Sequence, residues 1–308
     1  MWNKYAQSGR EPDRNSAGTE QRMEYTTFGR TGRKVSRIGF GGAVAGLKNY
    51  LHAYDPESDE SVRSVVAAID KALEKGINYF DTAPGYGDGR SEKMFGMALQ
   101  GVDPEQIFLA TKVSFGGYDD VMRSAERSLK NLRREQIDLL QIHGDSISRQ
   151  RADDIMGDGG MLAAMEELKR SGMVRYIGFT SEDNNDVLYR LLQSGRFDSI
   201  QMCYNLLFQH PYEPSRPFGS MYEAEEKGMG IVTMRAPTSG TFQRWIQMVN
   251  PENTFNYTRA LIQFVLSNPL VDVALIGMRS AERVLENVAI CEDLEGRIDI
   301  GRMHTRYV

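Results

Sequence analysis

Four side chains that can hold or transfer a proton follow consecutive apolar segments of the sequence. Asp81, Lys112 and His143 each end one of these segments, and Tyr86 comes five residues after Asp81 in a turn that contains glycine. Taken singly, each has an ordinary structural explanation: an aspartate can cap a turn, a phenol or imidazole can pack, and a lysine stem can cover apolar surface. Their occurrence together at successive segment ends indicates a shared chemical task.

Reduction of a carbonyl group is a task that needs these four residue types. A tyrosine hydroxyl can donate the proton that the developing alkoxide takes up, although its ordinary pKa is near 10. A nearby ammonium such as that of Lys112 stabilises tyrosinate and lowers the pKa, and the Asp81 carboxylate would hold that ammonium in place. A neutral imidazole from His143 can donate a hydrogen bond that orients the substrate oxygen.

The segments that carry these residues belong to an alternation of short apolar strands and longer helical patterns. We predict strands at 38–40, 79–81, 107–112, 137–143, 174–180, 199–204, 230–234 and 273–276. We predict helices at 59–75, 91–100, 119–132, 160–171, 184–193, 217–227, 257–267 and 281–291. The first helix is expected to begin with Asp59 as its N-cap and to stop at Gly76, and Gly172, Gly195 and Gly228 mark later helix ends.

Eight strand–helix units in one chain favour an α/β fold, the (β/α)8 TIM barrel, in which catalytic side chains stand at the carboxyl ends of the strands. The strands are continuous apolar runs, as expected for a parallel sheet covered by helices. A doubly wound open sheet is the alternative. It fits less well, because the stretch from Gly39 to Gly42 is a poor match to the glycine-rich turn of dinucleotide-binding sheets.

Segments outside the repeating units are predicted at the start of the chain and in two connections. A short β-hairpin is predicted from strands at 26–28 and 34–36. Residues 1–22 are polar and lack periodicity, so we expect a disordered extension there and a single barrel domain over 23–308. The long loops at 144–159 and 236–256 lie on the carboxyl-terminal face, where barrels place specificity.

Composition and charge exclude several classes of partner. The chain has 308 residues and a net charge of −5, so it has no general attraction to nucleic acid or to anionic membranes. Two cysteines, Cys203 and Cys291, suggest a reducing compartment. The four histidines are scattered along the chain, and no metal site is expected. Without an apolar run of spanning length or a signal-peptide pattern, the cytoplasm is the expected location.

The arrangement of the four reactive residues resembles the active-site tetrad of the aldo-keto reductase superfamily, over about residues 25–293. The resemblance implies a nicotinamide-dependent barrel with Tyr86 as the proton donor, Lys112 and Asp81 tuning it, and His143 placing the carbonyl. The matching stretches are Phe80-Asp81-Thr82-Ala83-x-x-Tyr86-Gly87, Thr111-Lys112 and Gln141-Ile142-His143.

The same resemblance assigns residues to the nicotinamide end of a cofactor site. Thr180 and Ser181 replace the family's Ser-Asn pair at a strand end that holds the carboxamide, so a hydroxyl remains and the amide donor is lost. Gln201 matches the family glutamine that contacts the same carboxamide, although a hydrogen bond within the barrel is its structural alternative. Gly42, after the first predicted barrel strand, is also assigned to this site.

The end of the predicted barrel resembles the family's adenosine-phosphate segment. Arg279 and Arg283 would face an anion near a helix N-terminus, which favours the 2′-phosphate of NADP over the diol of NAD. A solvated helix start is the alternative for these arginines. The other residues of this segment are Gly277, and Glu286 and Asn287 beside the adenine.

The seventh predicted barrel strand departs from the family pattern. Arg235 occupies the place where many relatives have an aromatic residue that stacks on nicotinamide, and a guanidinium plane can cover a ring as well. An oxidised, cationic ring would repel it, which favours NADPH and the reductive direction. Ala236, Thr238 and Gly240 follow in the same cofactor segment.

The resulting hypothesis is an NADP(H)-dependent reductase of an aldehyde, ketone or sugar. A cofactor-binding accessory or regulatory subunit with little turnover is the alternative, and an unrelated barrel hydrolase or metal-dependent lyase is a third. Six residues of predicted loops could form the wall of the substrate pocket or could simply pack: Tyr50, His52, Tyr54, Phe115, Tyr118 and Trp245.

Overall fold

A computed structural model describes residues 23–214 and 218–305 of the chain. Eight parallel strands form a closed barrel. A short antiparallel pair, β1 (Tyr25–Thr27) and β2 (Lys34–Ser36), precedes it. The barrel strands are β3 (Ile38–Gly41), β4 (Tyr79–Asp81), β5 (Phe108–Val113), β6 (Ile137–Ile142), β7 (Val174–Ser181), β8 (Ser199–Cys203), β9 (Gly230–Met234) and β10 (Val273–Gly277).

Both the (β/α)8 barrel and the hairpin that the sequence predicts are confirmed, and no strand bound differs from the expected one by more than one residue. Strand order follows the chain, and β10 pairs with β3 to close the sheet. The predicted disorder of residues 1–22 lies outside the described residues, so this expectation and the domain boundary at residue 23 stay predictions.

Helices cover the outside of the barrel. None of those in the described part of the chain is both long enough and apolar enough to span a membrane. Their bounds are α1 (Ala43–Gly46), α2 (Asp59–Glu74), α3 (Arg90–Ala98), α4 (Tyr118–Leu132), α5 (Arg149–Met156), α6 (Met161–Arg170), α7 (Asp186–Gln193), α8 (Ser220–Glu226), α9 (Thr241–Val249), α10 (Thr258–Leu266), α11 (Ala281–Glu292) and α12 (Ile300–Thr305).

The N-cap of α2 lies one residue earlier than the sequence predicts. Ser58, rather than Asp59, is the N-cap, and its hydroxyl accepts a hydrogen bond from the Ser61 amide at 3.2 Å. Asp59 instead lies in the first turn, where a carboxylate interacts favourably with the helix dipole. The glycines predicted at helix ends all adopt the left-handed conformation, including Gly76 at φ 84°.

Two of the additional helices lie in the connections that the sequence indicates only as long loops. Helix α5 buries just two side chains, Ala152 and Ile155, and α9 buries none. Helix α5 has few apolar residues and gives no repeating apolar face from which a helix could be recognised. Helix α9, by contrast, has apolar residues at helical spacing, at Phe242, Trp245, Ile246 and Val249, that do indicate a helix. Both helices lie on the carboxyl-terminal side of the barrel, after β6 and after β9.

One end of the barrel is filled by the segment between β1 and β2. Phe28 is fully buried, and its ring centre lies 5.0 Å from that of Phe108 and 5.7 Å from that of Tyr79. The close approach requires a glycine at position 230, where a Cβ atom would come within 2.4 Å of the Phe28 ring. Phe28 therefore closes the interior of the barrel at its amino-terminal end.

Candidate active site

Strand register places the reactive side chains of neighbouring strands on one level of the barrel. Asp81 in β4 lies opposite Ala110 in β5, so Lys112, two residues further along β5, points to the same face as Ala110. Lys112 in turn lies opposite Gln141 in β6. The ends of β4, β5 and β6 therefore direct Asp81, Lys112 and Gln141 into the barrel together.

Asp81 and Lys112 form a buried ion pair, with the lysine Nζ 2.5 Å from the aspartate Oδ1. Both side chains are only 1% exposed, so water cannot neutralise either charge. The protein supplies the remaining hydrogen bonds: Lys112 Nζ also donates to the Thr82 carbonyl at 2.9 Å, and Gln141 Nε2 donates to Asp81 Oδ2 at 3.0 Å.

The electrostatic surroundings keep Lys112 charged. Burial pushes the pKa of Lys112 down, but the charges of Asp81 and Tyr86 outweigh that effect, and the pKa is raised above its ordinary value. Burial raises the pKa of Asp81, while Lys112 and Gln141 act in the opposite direction. The site thus holds an ammonium at a fixed position beside the phenol of Tyr86.

Tyr86 reaches this ammonium from the turn that follows β4. Its ring centre lies 5.0 Å from Lys112 Nζ. The turn packs against α1, where a Cβ atom on Gly46 would come within 2.3 Å of the Tyr86 carbonyl oxygen. The absence of a side chain at Gly46 therefore allows the turn to approach α1 this closely.

The pKa of Tyr86 is raised above its ordinary value, which differs from the direction expected from Lys112 alone. Burial is the largest cause, and it outweighs the lowering by the Lys112 charge and by a hydrogen bond between the two side chains. Asp81 adds a smaller upward effect. The phenol consequently carries its proton at neutral pH, and Lys112 reduces the cost of releasing it.

His143, directly after β6, faces Tyr86. The two ring centres lie 5.5 Å apart with an interplanar angle of 87°. Burial, together with the charge of Lys112, lowers the pKa of His143 to about 4. The imidazole is therefore neutral at physiological pH, the form in which one ring nitrogen can donate a hydrogen bond to a substrate oxygen.

A cavity of about 540 Å³ opens above these residues and brings all four predicted catalytic side chains into one space. The predicted cofactor residues Gly42, Thr180, Gln201, Arg235 and Gly277 also line it. Its walls include segments that follow β3, β5, β6 and β9. The other residues of the lining are Gly41, Ala43, Val44, Leu47, Tyr50, Leu51, Ser114, Phe115, Gly144, Asp145, Arg151, Glu182, Met234, Pro237, Ser239 and Leu275.

Thr180 and Ser181, predicted to hold a carboxamide, already have hydrogen bonds within the protein. The Thr180 hydroxyl donates to the Gly144 carbonyl at 2.6 Å and accepts from the Gly144 amide at 2.9 Å. The Ser181 hydroxyl accepts from the Asp183 amide at 3.1 Å. The amide nitrogen of Gln201 is held more weakly, since Nε2 makes only a 3.7 Å contact with the Met234 sulfur.

Arg235 begins a segment with unusual backbone geometry. Arg235, Thr238 and Ser239 have φ values of 62°, 55° and 51°, in the left-handed region that residues with a side chain rarely adopt. Gly240 follows with φ 74°, and Ala236 is buried. Such strain persists only where the surrounding structure enforces it, and it often marks functional segments.

The Arg235 side chain is oriented toward Glu182 at the cavity rim, with 2.5 Å between Arg235 Nη2 and Glu182 Oε1. The guanidinium that the sequence predicts over a nicotinamide ring is therefore already paired with an acid. Met234, one residue earlier, also lines the cavity and lies beside Gln201.

The four charged or polar residues predicted for the adenosine end lie beyond the cavity, around the start of α11. Arg283 Nη1 pairs with Glu286 Oε2 at 2.5 Å on the helix surface, and Asn287 is buried. Arg279 has a different contact: its guanidinium carbon lies 4.3 Å from the centre of the Tyr54 ring. The two predicted arginines thus differ in their surroundings.

Comparison with known proteins agrees with this geometry. A model of the Aldo/keto reductase family matches residues 37–261. The chain belongs to this family. The match spans the strands and turns that carry Asp81, Tyr86, Lys112 and His143.

This aldo/keto reductase is similar to L-galactose dehydrogenase of Arabidopsis thaliana, with 28% identity over 305 residues that cover 89% of this chain and 90% of the relative. It is also similar to an aldo-keto reductase from Bacillus halodurans in its holo form, with a TM-score of 0.71, 24% identity and coverage of 92% and 95% of the two chains. An aldo/keto reductase from Klebsiella pneumoniae in complex with NADP and acetate has a TM-score of 0.68 at 21% identity, with coverage of 92% and 95%. These two structures establish the shared fold.

The structure of this family member adds site residues that sequence reasoning did not assign. Gln141 joins Asp81 to Gln201, since its Nε2 lies 3.0 Å from the one and 3.3 Å from Gln201 Oε1. A polar residue in an apolar strand, two positions before His143, was a usable indication of this role. Glu182 reaches the cavity from the loop after β7, and Arg151 reaches it from the first turn of α5. No periodic pattern in the sequence predicts that either residue lines a cavity.

The aromatic loop residues proposed as a pocket wall separate into two groups. Tyr50 and Phe115 line the cavity, and Arg151 stacks on Phe115 with 4.4 Å between its guanidinium carbon and the ring centre. Tyr54 contacts Arg279 instead. The remaining members of the set, which do not line the cavity, are His52, Tyr118 and Trp245.

Proposed function

We propose that this aldo/keto reductase uses NADP(H) to reduce an aldehyde, ketone or sugar carbonyl to the alcohol, with Tyr86 as the proton donor. The observation that carries the proposal is the buried pair of Lys112 and Asp81 beside the Tyr86 phenol, in a cavity that also contains a neutral imidazole. A fixed ammonium next to a protonated phenol is suited to releasing a proton when negative charge develops on an oxygen nearby.

Each residue has a distinct part in the proposed reaction. A neutral His143 donates a hydrogen bond to the substrate oxygen and orients the carbonyl. Tyr86 transfers its hydroxyl proton to that oxygen, and Lys112 stabilises the resulting tyrosinate until solvent restores the proton. Asp81, itself held by Gln141, keeps the ammonium charged and in place.

The residues around the cavity fit a reduced nicotinamide cofactor, which would supply the hydride to the carbonyl carbon. Two amide side chains offer hydrogen-bonding groups for such a cofactor. The buried Gln201 lines the cavity, and the Oε1 atom of the neighbouring Gln141 is buried without a hydrogen-bond partner. Gln201, Thr180 and Ser181 would hold the nicotinamide end. Gly42 and Gly277 line the cavity along the proposed path of the cofactor. Arg235 would cover the nicotinamide ring, and Ala236, Thr238 and Gly240 would follow the diphosphate.

The adenosine end would lie at the start of α11, with Arg279 and Arg283 facing the 2′-phosphate and Glu286 and Asn287 beside the adenine. Helix N-termini present unpaired amide groups and attract anions, which favours a phosphate at this place. The Klebsiella pneumoniae neighbour in complex with NADP supports the choice of this cofactor.

A substrate screen with a matched variant tests the proposal. NADPH oxidation is followed by absorbance with a panel of aldehydes, ketones and aldoses, and NADH is assayed in parallel. Tyr86→Phe keeps the ring and its packing but removes the proton, so kcat should fall by at least about 100-fold. Binding of NADPH, measured by its fluorescence, should stay within about twofold of the wild type, because Tyr86 is assigned no contact with the cofactor's phosphates.

Two results would overturn the proposal. If Tyr86→Phe turned over the best substrate as fast as the wild type, Tyr86 would not be the acid. If the wild type bound NADPH tightly and reduced no member of the panel, the accessory-subunit hypothesis would replace the reductase.

A further inference from the structure

The contact between Arg279 and Tyr54 joins two segments that are far apart in the sequence. Arg279 follows β10, while Tyr54 lies in the connection between α1 and α2. The guanidinium carbon lies 4.3 Å from the ring centre, within the range of a cation–π contact. Arg279 is also held through its backbone, since its carbonyl accepts a hydrogen bond from the Ser64 hydroxyl at 2.8 Å.

Tyr54 itself is fixed through both its side chain and its backbone. Its hydroxyl donates to the Ala45 carbonyl at 3.0 Å, which ties the ring to α1 beside the cavity. Its backbone amide donates to the Asn49 side chain at 2.9 Å, and its carbonyl accepts from the Asn49 amide at 3.1 Å. The ring therefore offers a rigid surface on which a guanidinium can lie.

Arg279 differs from Arg283 in having no acidic partner among the described residues. Arg283 is paired with Glu286, whereas no carboxylate in residues 23–214 and 218–305 forms an ion pair with Arg279. An arginine with no acid to displace keeps its full charge for an incoming anion, and a planar guanidinium can bind a phosphate through two parallel hydrogen bonds. Stacking leaves the edge of that plane free for such bonds.

We propose that Tyr54 is a positioning residue for cofactor selection: its ring holds the Arg279 guanidinium ready to bind the 2′-phosphate of NADP(H). This inference rests on the proposed use of NADP(H). An arginine that is already ordered loses less side-chain freedom when it binds, so the ring strengthens binding of the 2′-phosphate specifically. NAD(H), which has a hydroxyl at that position, gains nothing from it.

The test compares dissociation constants of NADPH and NADH, obtained from cofactor fluorescence without substrate. Tyr54→Leu removes the ring and should weaken NADPH binding by about two- to fivefold, the range of an exposed cation–π contact. NADH binding should change by less than the experimental error. Tyr54→Phe keeps the ring and loses only the hydroxyl, so it should retain the wild-type ratio of the two constants.

A double-variant cycle isolates the contact between the two residues. In an Arg279→Ala background, Tyr54→Leu should cause no further loss of NADPH affinity, because the guanidinium that it positions is already gone. Calorimetry with adenosine 2′,5′-bisphosphate and adenosine 5′-monophosphate repeats the comparison without the nicotinamide. Only the bisphosphate should lose affinity when Tyr54 is replaced.

Tyr25→Leu is the matched control. Tyr25 is a surface tyrosine whose hydroxyl also donates to a backbone carbonyl, that of Gly76 at 2.7 Å, but it lies at the other end of the barrel in β1. This variant should leave the NADPH-to-NADH ratio unchanged. If Tyr54→Leu fails to fold, Tyr54→Gln replaces it as the variant without a ring.

The remaining outcomes distinguish a failure of this inference from a failure of the proposed function. A wild type that binds NADH as tightly as NADPH would overturn the proposed cofactor preference and this inference with it. A wild type that prefers NADPH, with a ratio unaffected by Tyr54→Leu or with a loss that persists in Arg279→Ala, would overturn the role of Tyr54 alone.

Discussion

Lys112 lies between an acid and a phenol: its Nζ is 2.5 Å from Asp81 Oδ1 and 5.0 Å from the centre of the Tyr86 ring. Two buried charges are tolerated here because each compensates the other and because Gln141 and the Thr82 carbonyl complete their hydrogen bonds. The same pairing that supports the proposed proton transfer is therefore also a structural element of the barrel.

Removing only the positive member of this pair should destabilise the protein more than removing both charges. Lys112→Met leaves the Asp81 carboxylate buried without its counter-charge, and the free energy of unfolding should fall by about 3 kcal/mol or more. In the double variant Asp81→Asn, Lys112→Met no charge remains buried, and part of that loss should be recovered. Urea unfolding of the three proteins at pH 7 measures the difference.

The pH dependence of Lys112→Met provides an internal check. Without the ammonium, burial raises the folded-state pKa of Asp81 further above its unfolded value, so the folded state binds the proton more tightly. The deficit of the variant relative to the wild type should then shrink as the pH falls. A deficit that stays constant with pH, or a double variant as unstable as Lys112→Met, would contradict the account of the buried pair.

The histidine of the site should make stability depend on pH in a defined window. The folded-state pKa of His143 is about 4, whereas an unfolded histidine titrates near 6.5. Between these values the unfolded chain binds more protons than the folded one, so stability falls as the pH decreases from 6.5 to about 4. The size of this contribution is on the order of 2 kcal/mol, reduced from the full shift because the imidazole is partly exposed.

Comparison with His143→Gln isolates that contribution. The variant cannot take up the proton, so its unfolding free energy should decrease less steeply than that of the wild type across the window, and the two curves should run parallel above pH 7. Urea titrations of the cofactor-free proteins at half-unit pH steps measure this. Parallel curves throughout the range would show that His143 is not held neutral.

The fold and the proximity of the four side chains could be predicted from the sequence because both depend on repeated local patterns. Eight apolar strands define the barrel, and residues at strand ends such as Asp81 and Lys112 must then meet on one face. Contacts between distant surface segments have no such pattern. The stacking of Arg279 on Tyr54 joins residues 225 positions apart, and nothing at either position indicates the other.

Backbone conformation could not be predicted from the sequence, whereas local charge pairing could. The left-handed conformation of Arg235 and Ser239 is imposed by the surrounding structure, since their residue types disfavour it. The pairing of Arg283 with Glu286, by contrast, was accessible, because residues three apart on a helix are neighbours. This ion pair shows that a basic residue in a segment predicted to bind phosphate can already have an acidic partner within the protein.

Three aspartates at the amino-terminal ends of alternate strands each accept a hydrogen bond from the backbone of the preceding strand. The Asp138, Asp198 and Asp272 carboxylates accept the backbone amides of Leu109, Ile177 and Ile231, each on the preceding strand, at 2.9–3.0 Å. All three side chains are buried. Each carboxylate thus satisfies an amide that lies beyond the regular ladder between two strands.

Asp198→Ala should therefore lower the free energy of unfolding by about 2 kcal/mol, because it leaves the Ile177 amide buried without an acceptor. The replacement also removes the partner of Lys169, whose Nζ lies 2.5 Å from Asp198 Oδ2. Asp186→Ala is the control: Asp186 pairs with Arg149, but the two side chains are 66% and 81% exposed, so its loss should cost less than about 0.5 kcal/mol. Equal losses in urea unfolding of the two variants would mean that the buried acceptor contributes no more than a surface ion pair.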